Sequence, residues 1–374
     1  MKIEVDSAAF ADAVAWATRI LPARPAVPIL SGIKLDAHDG ELSFSTFDYE
    51  KSARDHVEAS VDEDGTVVVL GKLLADIAKA LPQGTISLGT TNSRLSISGG
   101  KSKFSLQLMP YEDYPALPEV PQDLGQVDAD TFSHAVAKAA VAVAHEENRV
   151  VLKGIRMTID GEKVVLTSTD RFRLARASFN WTPSNPDFEG TILIDGAVIK
   201  DISRSIDTSS NVVMGYDSEK STLLSFSNAG RQSTAQLIDG EFPAVDGLFV
   251  DEYPIHAVIN RSELISAITR VALVAEKNAP IRMVFSNNEV QLSAGSADES
   301  QAHEVIDAQL DGEAITVAFN PAYLKEGLNA IDEPYVRMKM VNAARAVEFN
   351  GQQDIDGDES LDYRYLLVPM RFID

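Results

Sequence analysis

The feature that most constrains this chain is a helical pattern that occurs three times at one spacing. It begins at Gly71 (Gly71-Lys72-Leu73-Leu74-Ala75-Asp76-Ile77-Ala78-Lys79-Ala80-Leu81) and returns at Gly196 and Pro321, with starts 125 residues apart both times. Apolar residues recur two, three and ten places after each start: Leu73, Leu74 and Leu81; Val198, Ile199 and Ile206; Tyr323, Leu324 and Ile331. That spacing is one face of a helix. An acid stands five places on in every copy (Asp76, Asp201, Glu326), and bases stand four places on (Lys200, Lys325) or eight (Lys79, Arg204). Positions four and eight are one turn apart and share a face. The chain therefore reads as three copies of one unit, each turning a basic helix face to something.

A period this long exceeds any solenoid repeat and has the size of a domain. Each unit also carries an earlier helix, expected from about Ala8 to Leu21, Ala129 to Ala144 and Ser262 to Ala275. Phe132 and Leu264 are followed six places later by Lys138 and Arg270; the first unit has Trp16 there and Arg19 one turn on. Between helices the sequence alternates β-prone runs with turn signals at Asp39-Gly40, Asp64-Gly65, Asp160-Gly161 and Asn287-Asn288. Each unit is expected to run strand, helix, three strands, then the same again: an α+β fold with internal duplication. The related endings Tyr114-Pro115-Ala116-Leu117 and Phe242-Pro243-Ala244-Val245 lie in linkers at Pro110 to Pro121 and Asp239 to Asp251, which places the domains at 1–121, 122–251 and 252–374.

The 374 residues include no cysteine, which excludes disulfides and thiolate chemistry and fits a cytoplasmic protein. No apolar run is long enough to span a bilayer, and Met1 to Asp6 does not open a signal peptide. The formal charge of -23 argues against a nucleic-acid binder on its face. Net charge describes the whole surface, however, and a local basic face survives in an acidic protein.

Phosphate-loop, dinucleotide, zinc-protease and serine-hydrolase motifs are all absent. Asp354-Ile355-Asp356-Gly357-Asp358-Glu359 has its glycine at position four where a calcium loop needs it at six, so an acidic hairpin tip is the better reading. His145-Glu146-Glu147 reads as the solvated end of a helix, and Asp170, Arg171 and Arg173 as a charged loop. No catalytic residue, metal ligand or cofactor is expected. The last strand, Tyr365-Leu366-Leu367-Val368-Pro369-Met370-Arg371-Phe372, is nearly all apolar and carries a proline. Such a run suits either a buried strand or a peptide-binding groove.

Five segments, in order along the whole chain, resemble the β sliding clamps, the processivity subunit of bacterial DNA polymerase III. They are Leu21 to Leu30, Thr169 to Leu174, Asp239 to Pro243, Phe319 to Tyr323, and Pro369-Met370-Arg371. The first is most similar to the actinobacterial branch. The resemblance implies three tandem clamp domains per chain and a head-to-tail homodimer. Its ring would have helices inside and β-sheets outside, and would encircle double-stranded DNA without reading its sequence. It implies no catalysis; the ring would confer processivity by topology. DNA-facing residues would be Arg24, Lys72, Lys79, Lys138, Arg149, Lys200, Arg204, Arg270 and Lys325. The chain departs from relatives at Asp195-Gly196, where basic residues are common. The dimer would join an edge near Leu73 to Leu106 to one near Asn260 to Glu304.

The resemblance also implies a hydrophobic groove for short linear motifs of the replicative polymerase, the clamp loader, other DNA polymerases and repair proteins. Its positions here are Leu152, Thr169, Arg173, Leu174, Pro243, Leu248, Asn320, Tyr323, Leu366, Val368, Pro369, Met370 and Arg371. Arg171-Phe172 replaces a Gly-His of some relatives, and Gly247 stands where others have arginine. Two rival readings are an enzyme using Asp48 and Asp170, which the repeat makes nearly equivalent, and an acidic peptide-docking scaffold that does not encircle DNA.

Overall fold

A computed structural model describes residues 1–145, 148–217, 222–276, 279–295 and 300–371. The three repeats share one order of elements. The first runs β1 (Lys2–Asp6), α1 (Ser7–Thr18), β2 (Gly32–His38), β3 (Glu41–Phe47), β4 (Lys51–Glu58), β5 (Ser60–Glu63), β6 (Gly65–Leu70), α2 (Gly71–Ala80), β7 (Thr85–Thr91), β8 (Arg94–Gly99) and β9 (Ser102–Gln107). The second runs β10 (Asp123–Val127), α3 (Ala129–Ala139), β11 (Gly154–Asp160), β12 (Lys163–Thr169), β13 (Arg173–Asn180), β14 (Thr182–Pro183), β15 (Glu189–Asp195), α4 (Gly196–Ser203), β16 (Val212–Tyr216), β17 (Leu223–Asn228) and β18 (Arg231–Gln236). The third runs β19 (Ile255–Asn260), α5 (Arg261–Val271), β20 (Ile281–Ser286), β21 (Glu289–Gly295), β22 (Gln301–Asp307), β23 (Gln309–Asp311), β24 (Ile315–Phe319), α6 (Pro321–Asn329), β25 (Tyr335–Met340), β26 (Val347–Gln352) and β27 (Glu359–Leu367).

Each repeat has one strand more than the sequence pattern predicts. The additions β5, β14 and β23 are two to four residues long and lack an alternating apolar run, so nothing local announces them. The first helices also end early. α1 stops at Thr18, whose hydroxyl donates back to the Val14 carbonyl at 2.7 Å, and α3 and α5 tighten into 3-10 turns at Ala140–Ala142 and Ala272–Val274. Helix starts follow side-chain caps: Asp6, Asp195, Asn260 and Asn320 accept from backbone N–H groups of the first turns, whereas α2 begins without one. Asp195, at the departure from relatives, is thus the cap of α4.

Two compact units result. One comprises residues 1–129, 182–185 and 201–237, the other 130–181, 186–200 and 238–374. The first holds a five-stranded sheet, β5-β1-β7-β8-β9, and a nine-stranded sheet, β14-β10-β16-β17-β18-β4-β3-β2-β6. The second holds a nine-stranded sheet, β15-β11-β12-β13-β27-β26-β25-β19-β23, and a four-stranded one, β22-β21-β20-β24. All pairings are antiparallel. The nine-stranded sheets are built alike. The last strand of one repeat pairs with the strand that ends the first hairpin series of the repeat before it: β18 with β4, and β27 with β13.

Helices cover one face of the sheets, and Phe10 packs edge-on to Phe44 in the first unit as Phe319 does to Phe349 in the second. The residue three places into each repeated helix is fully buried (Leu74, Ile199 and Leu324, each 0 % exposed), but Leu73 is 45 % exposed. The buried stripe takes positions three, six and seven in all three copies, which leaves position two at its margin. The acid at position five shares the outward face with the bases, so that face is mixed in charge rather than purely basic.

Candidate functional site

The site forms within the second unit, where β13 meets β27. It starts from a turn. Asp170 Oδ1 accepts from the N–H groups of Phe172 and Arg173, each at 3.0 Å, and the Thr169 hydroxyl donates to the Arg173 carbonyl at 2.7 Å while accepting from Arg171 N–H at 3.1 Å. Arg171 is held at φ 80°, a left-handed conformation that glycine adopts more readily. Asp48 makes the same turn in the first unit, accepting from Glu50 and Lys51 N–H, with Tyr49 at φ 73°. The two carboxylates proposed as an enzyme's pair are therefore turn formers, one in each unit.

Arg173 leaves this turn buried. Its Nε donates to Asp170 at 2.9 Å, its Nη1 pairs with Glu326, and its guanidinium lies 4.1 Å from the centre of the Tyr323 ring. Burial opposes the charge, but Tyr365, Glu326 and Asp170 more than offset this, and its pKa is raised above the ordinary arginine value. Asn320 accepts from Ala322 and Tyr323 N–H as the cap of α6, leaving its amide hydrogens as donors. Tyr365 OH donates to the Tyr323 carbonyl at 2.9 Å.

The apolar floor is Leu174, Leu366 and Val245, with Phe242, Phe249 and Ala346 packed around it. At its rim stand Phe172, Leu248 and Val368, 51 %, 54 % and 43 % exposed, and Pro243, next to Phe242 in sequence, is exposed. The segment after β27 is tied down by its backbone: Val368 N–H donates to the Phe172 carbonyl at 2.9 Å, and Met370 N–H to the Ala318 carbonyl at 2.7 Å. Pro369 and Met370 are half-buried and Arg371 is exposed. Leu152 is buried in the 3-10 turn before β11. These contacts bring together the turn, the start of α6, the linker and the last strand.

Val245 and the linker's anchor did not emerge from the sequence. Asp246 pairs with Arg156 (3.0 Å) and Arg176, and Phe249 lies between the guanidinium groups of Arg176 and Arg364, 4.4 and 4.0 Å away. The matching endings Tyr114 to Leu117 and Phe242 to Val245 were the available signal.

The basic residues divide. Arg24, Lys72, Lys79, Arg149 and Arg204 are exposed. Arg270 is exposed but paired with Glu304. Lys138 is half-buried, 2.7 Å from Asp332 and over the Tyr363 ring, so its charge is largely neutralised in place. Lys200 and Lys325 are half-buried on their helices. His145 is exposed, and the two glutamates after it lie outside the described residues. Among the described residues no cluster of His, Asp and Glu has the geometry of a metal site, and no helix is long and apolar enough to cross a membrane.

Profiles of the N-terminal, central and C-terminal domains of the DNA polymerase III beta subunit match residues 1–118, 126–244 and 248–371. The chain belongs to the DNA polymerase III beta subunit family, the beta sliding clamps. It is 41 % identical to the beta sliding clamp of Streptomyces coelicolor, with 99 % of each chain covered, and 38 % identical to that of Micrococcus luteus over 83 % of this chain and 100 % of the other. These relatives fit the actinobacterial branch. The crystal structure of the Bacillus subtilis sliding clamp shares the fold at a TM-score of 0.92, 22 % identity and full coverage of both chains. Membership as a beta sliding clamp makes DNA replication the setting and disfavours the free-standing scaffold.

Proposed function

We propose that two copies of this chain close head to tail into a ring that surrounds duplex DNA, and that this non-catalytic, cytoplasmic ring holds the replicative polymerase on its template. The observation that carries the reading is a pair of unmatched edges. Within the chain, β4 receives β18 and β13 receives β27. The third strand of that kind is β22, at the edge of the four-stranded sheet, and the third donor is β9, at the edge of the five-stranded sheet. An edge strand offers a row of unpaired backbone groups. Pairing β9 of one copy with β22 of the next uses both edges of both copies, and a heterologous contact that closes on itself makes a ring.

The register follows from repeat equivalence. Ser52 stands opposite Thr234, with their hydroxyls 2.6 Å apart, and Leu174 opposite Leu366. The corresponding pair is Ser105 with the second copy's Gln301, which sets Phe104 against Ala302. Exposed apolar residues lie on β22 itself (Val305) and elsewhere in the first and third repeats: Leu73 on α2, and Leu273, 82 % exposed, in the turn after α5. Burying a leucine contributes about 1.5–3 kcal/mol.

In this ring the domains are 1–121, 122–251 and 252–374, and Arg24, Lys72, Lys79, Arg149 and Arg204 supply the most accessible positive charge toward DNA. A sparse charge suits sliding, because each phosphate neutralised adds salt-dependent grip. The Leu174–Leu366–Val245 floor takes the aliphatic and aromatic anchors of short partner motifs, in the manner of a buried hot spot with a polar rim. The ring is tested by loading the protein on circular DNA with its loader and then linearising the circle. Release on linearisation supports encirclement; retention on linear DNA with free ends contradicts it.

A further inference from the structure

The two nine-stranded sheets carry corresponding transverse rows of side chains, and among the described residues a carboxylate and an aromatic ring cap only the second. In the second unit Arg156, Thr167, Arg176 and Arg364 stand opposite one another across β11, β12, β13 and β27. In the first unit Lys34, Ser45, Arg54 and Gln232 do so across β2, β3, β4 and β18. The linker caps the second row with the Asp246 carboxylate and the Phe249 ring. The first linker has the same lead-in, Tyr114 to Leu117, and then diverges: Pro118 stands at the place of Asp246 and Pro121 at that of Phe249. Arg54 Nη2 donates to its Pro118 carbonyl at 2.9 Å.

Over this first row lies an open cavity of about 650 Å³, in the range of sites that hold small ligands. Lys34, Arg54, His56, Arg231, Gln232 and Leu117 are among its walls. Its carboxylate, Asp55, is buried and engaged by Arg231 at 3.1 Å, and Lys34 is 3.7 Å from Asp36. Arg54 has a pKa lowered by burial alone, whereas Asp246 works against the same burial at Arg176. A carboxylate arriving beside Arg54 supplies what Asp246 supplies to its counterpart, and a charge-assisted hydrogen bond to a planar guanidinium is among the stronger polar contacts.

We propose that this cavity is a second peptide site of the clamp, separate from the partner groove, which binds an acidic segment of a partner protein. The acid sits between Lys34 and Arg54, and an aromatic side chain lies on the Arg54 guanidinium, as Asp246 and Phe249 do on the other row. The probe is a capped, labelled peptide with the chain's own sequence Ala244–Val250, titrated with the full-length protein by fluorescence anisotropy. Saturable binding is expected. It should weaken about tenfold with asparagine in place of the peptide's aspartate, and about tenfold in protein Lys34→Ala or Arg54→Gln. It should stay unchanged in Met370→Ala, a change in the partner groove. Lys34→Ala, on a half-exposed side chain, carries the test if Arg54→Gln melts early. The proposal is overturned by no saturation at about 1 mM, by undiminished affinity in both protein variants, by loss in Met370→Ala instead, or by inorganic phosphate displacing the peptide as well as unlabelled peptide does.

Discussion

The Arg173 guanidinium lies 4.1 Å from the Tyr323 ring centre, and through it the turn after β12 and the first turn of α6 are held as one piece. Arg173 also binds Asp170 and Glu326 from a position 4 % exposed. Truncation leaves Asp170 Oδ2 without its guanidinium partner in a largely buried setting. Arg173→Ala is expected to lower stability by about 3 kcal/mol, and Arg173→Lys to recover only part, because an ammonium lacks the planar face and the fork. Denaturant unfolding of the three proteins measures both.

Backbone geometry makes a second prediction at the neighbouring position. Arg171 sits at φ 80°. A left-handed conformation costs a side-chain-bearing residue about 1–2 kcal/mol, and glycine gives back part of that as unfolded-state entropy. Arg171→Gly should therefore stabilise by about 0.5 kcal/mol, and Arg171→Val should destabilise by more than about 1 kcal/mol. A stability loss on Arg171→Gly would show that the Arg171 side chain holds the turn.

Gly327 is required for a different reason. A Cβ there would stand 2.2–2.7 Å from ring atoms of Tyr365, which is fully buried and cannot move aside. Gly327→Ala should cost about 1–3 kcal/mol by overpacking, despite alanine's better helix propensity. An unchanged melting temperature would mean that the β27–α6 contact is looser than the geometry shows.

Acid should weaken the second unit through Glu348. This carboxylate is 0 % exposed and accepts from Arg364 at 2.7 and 2.9 Å and from Tyr253 at 2.6 Å, with Lys339 3.1 Å away. Burial works to raise its pKa, but Arg364, Tyr253 and Lys339 outweigh burial and hold it below the ordinary value of 4.5. A folded pKa below the unfolded one means stability that is complete above the unfolded value and lost as pH falls through the folded one. Asp246 is lowered in the same direction from 3.8. Melting temperature should be flat above the unfolded value and fall below it. Glu348→Gln should flatten that acid limb while costing about 3–5 kcal/mol at neutral pH, since it strands buried cations.

For the groove, Met370→Ala should weaken an aliphatic–aromatic partner peptide at least about tenfold, as loss of a buried anchor contact does, and leave the dimer intact. Deletion of Pro369 to Asp374 should abolish peptide binding. Peptide titration with size-exclusion chromatography reads both; equal affinity in either variant would move the groove elsewhere.

The sequence made the repeat, its helices and its tight hairpins legible because each is local. Asp39-Gly40 and Asn287-Asn288 have φ values of 50° and 82°, and 50° and 60°, as two-residue hairpin turns require. What it hid is long-range. Nothing in Lys51–Ala53 or Ser233–Ala235 announces that β4 pairs with β18, so the sharing of the central repeat between two sheets is visible only in space. Leu73 reads as core by spacing and proves exposed, because two neighbouring apolar positions straddle the edge of one stripe. The resemblance named Leu174 and Leu366, which share one apolar cluster in the fold, but Val245, Asp246 and Phe249 depend on where a linker lands on a sheet face.

The most direct test uses the absence of cysteine. With Ser105→Cys and Gln301→Cys in one chain, β9·β22 pairing brings the two thiols opposite each other at both junctions, within the Cα separation of about 4.4–6.8 Å that a disulfide spans. Oxidation should give a single covalent species at twice the 40.5 kDa chain mass, linked at both ends, while Ser102→Cys with Gln301→Cys should not cross-link. Failure of the in-register pair to cross-link, or a ladder of ever larger polymers, would contradict the closed ring.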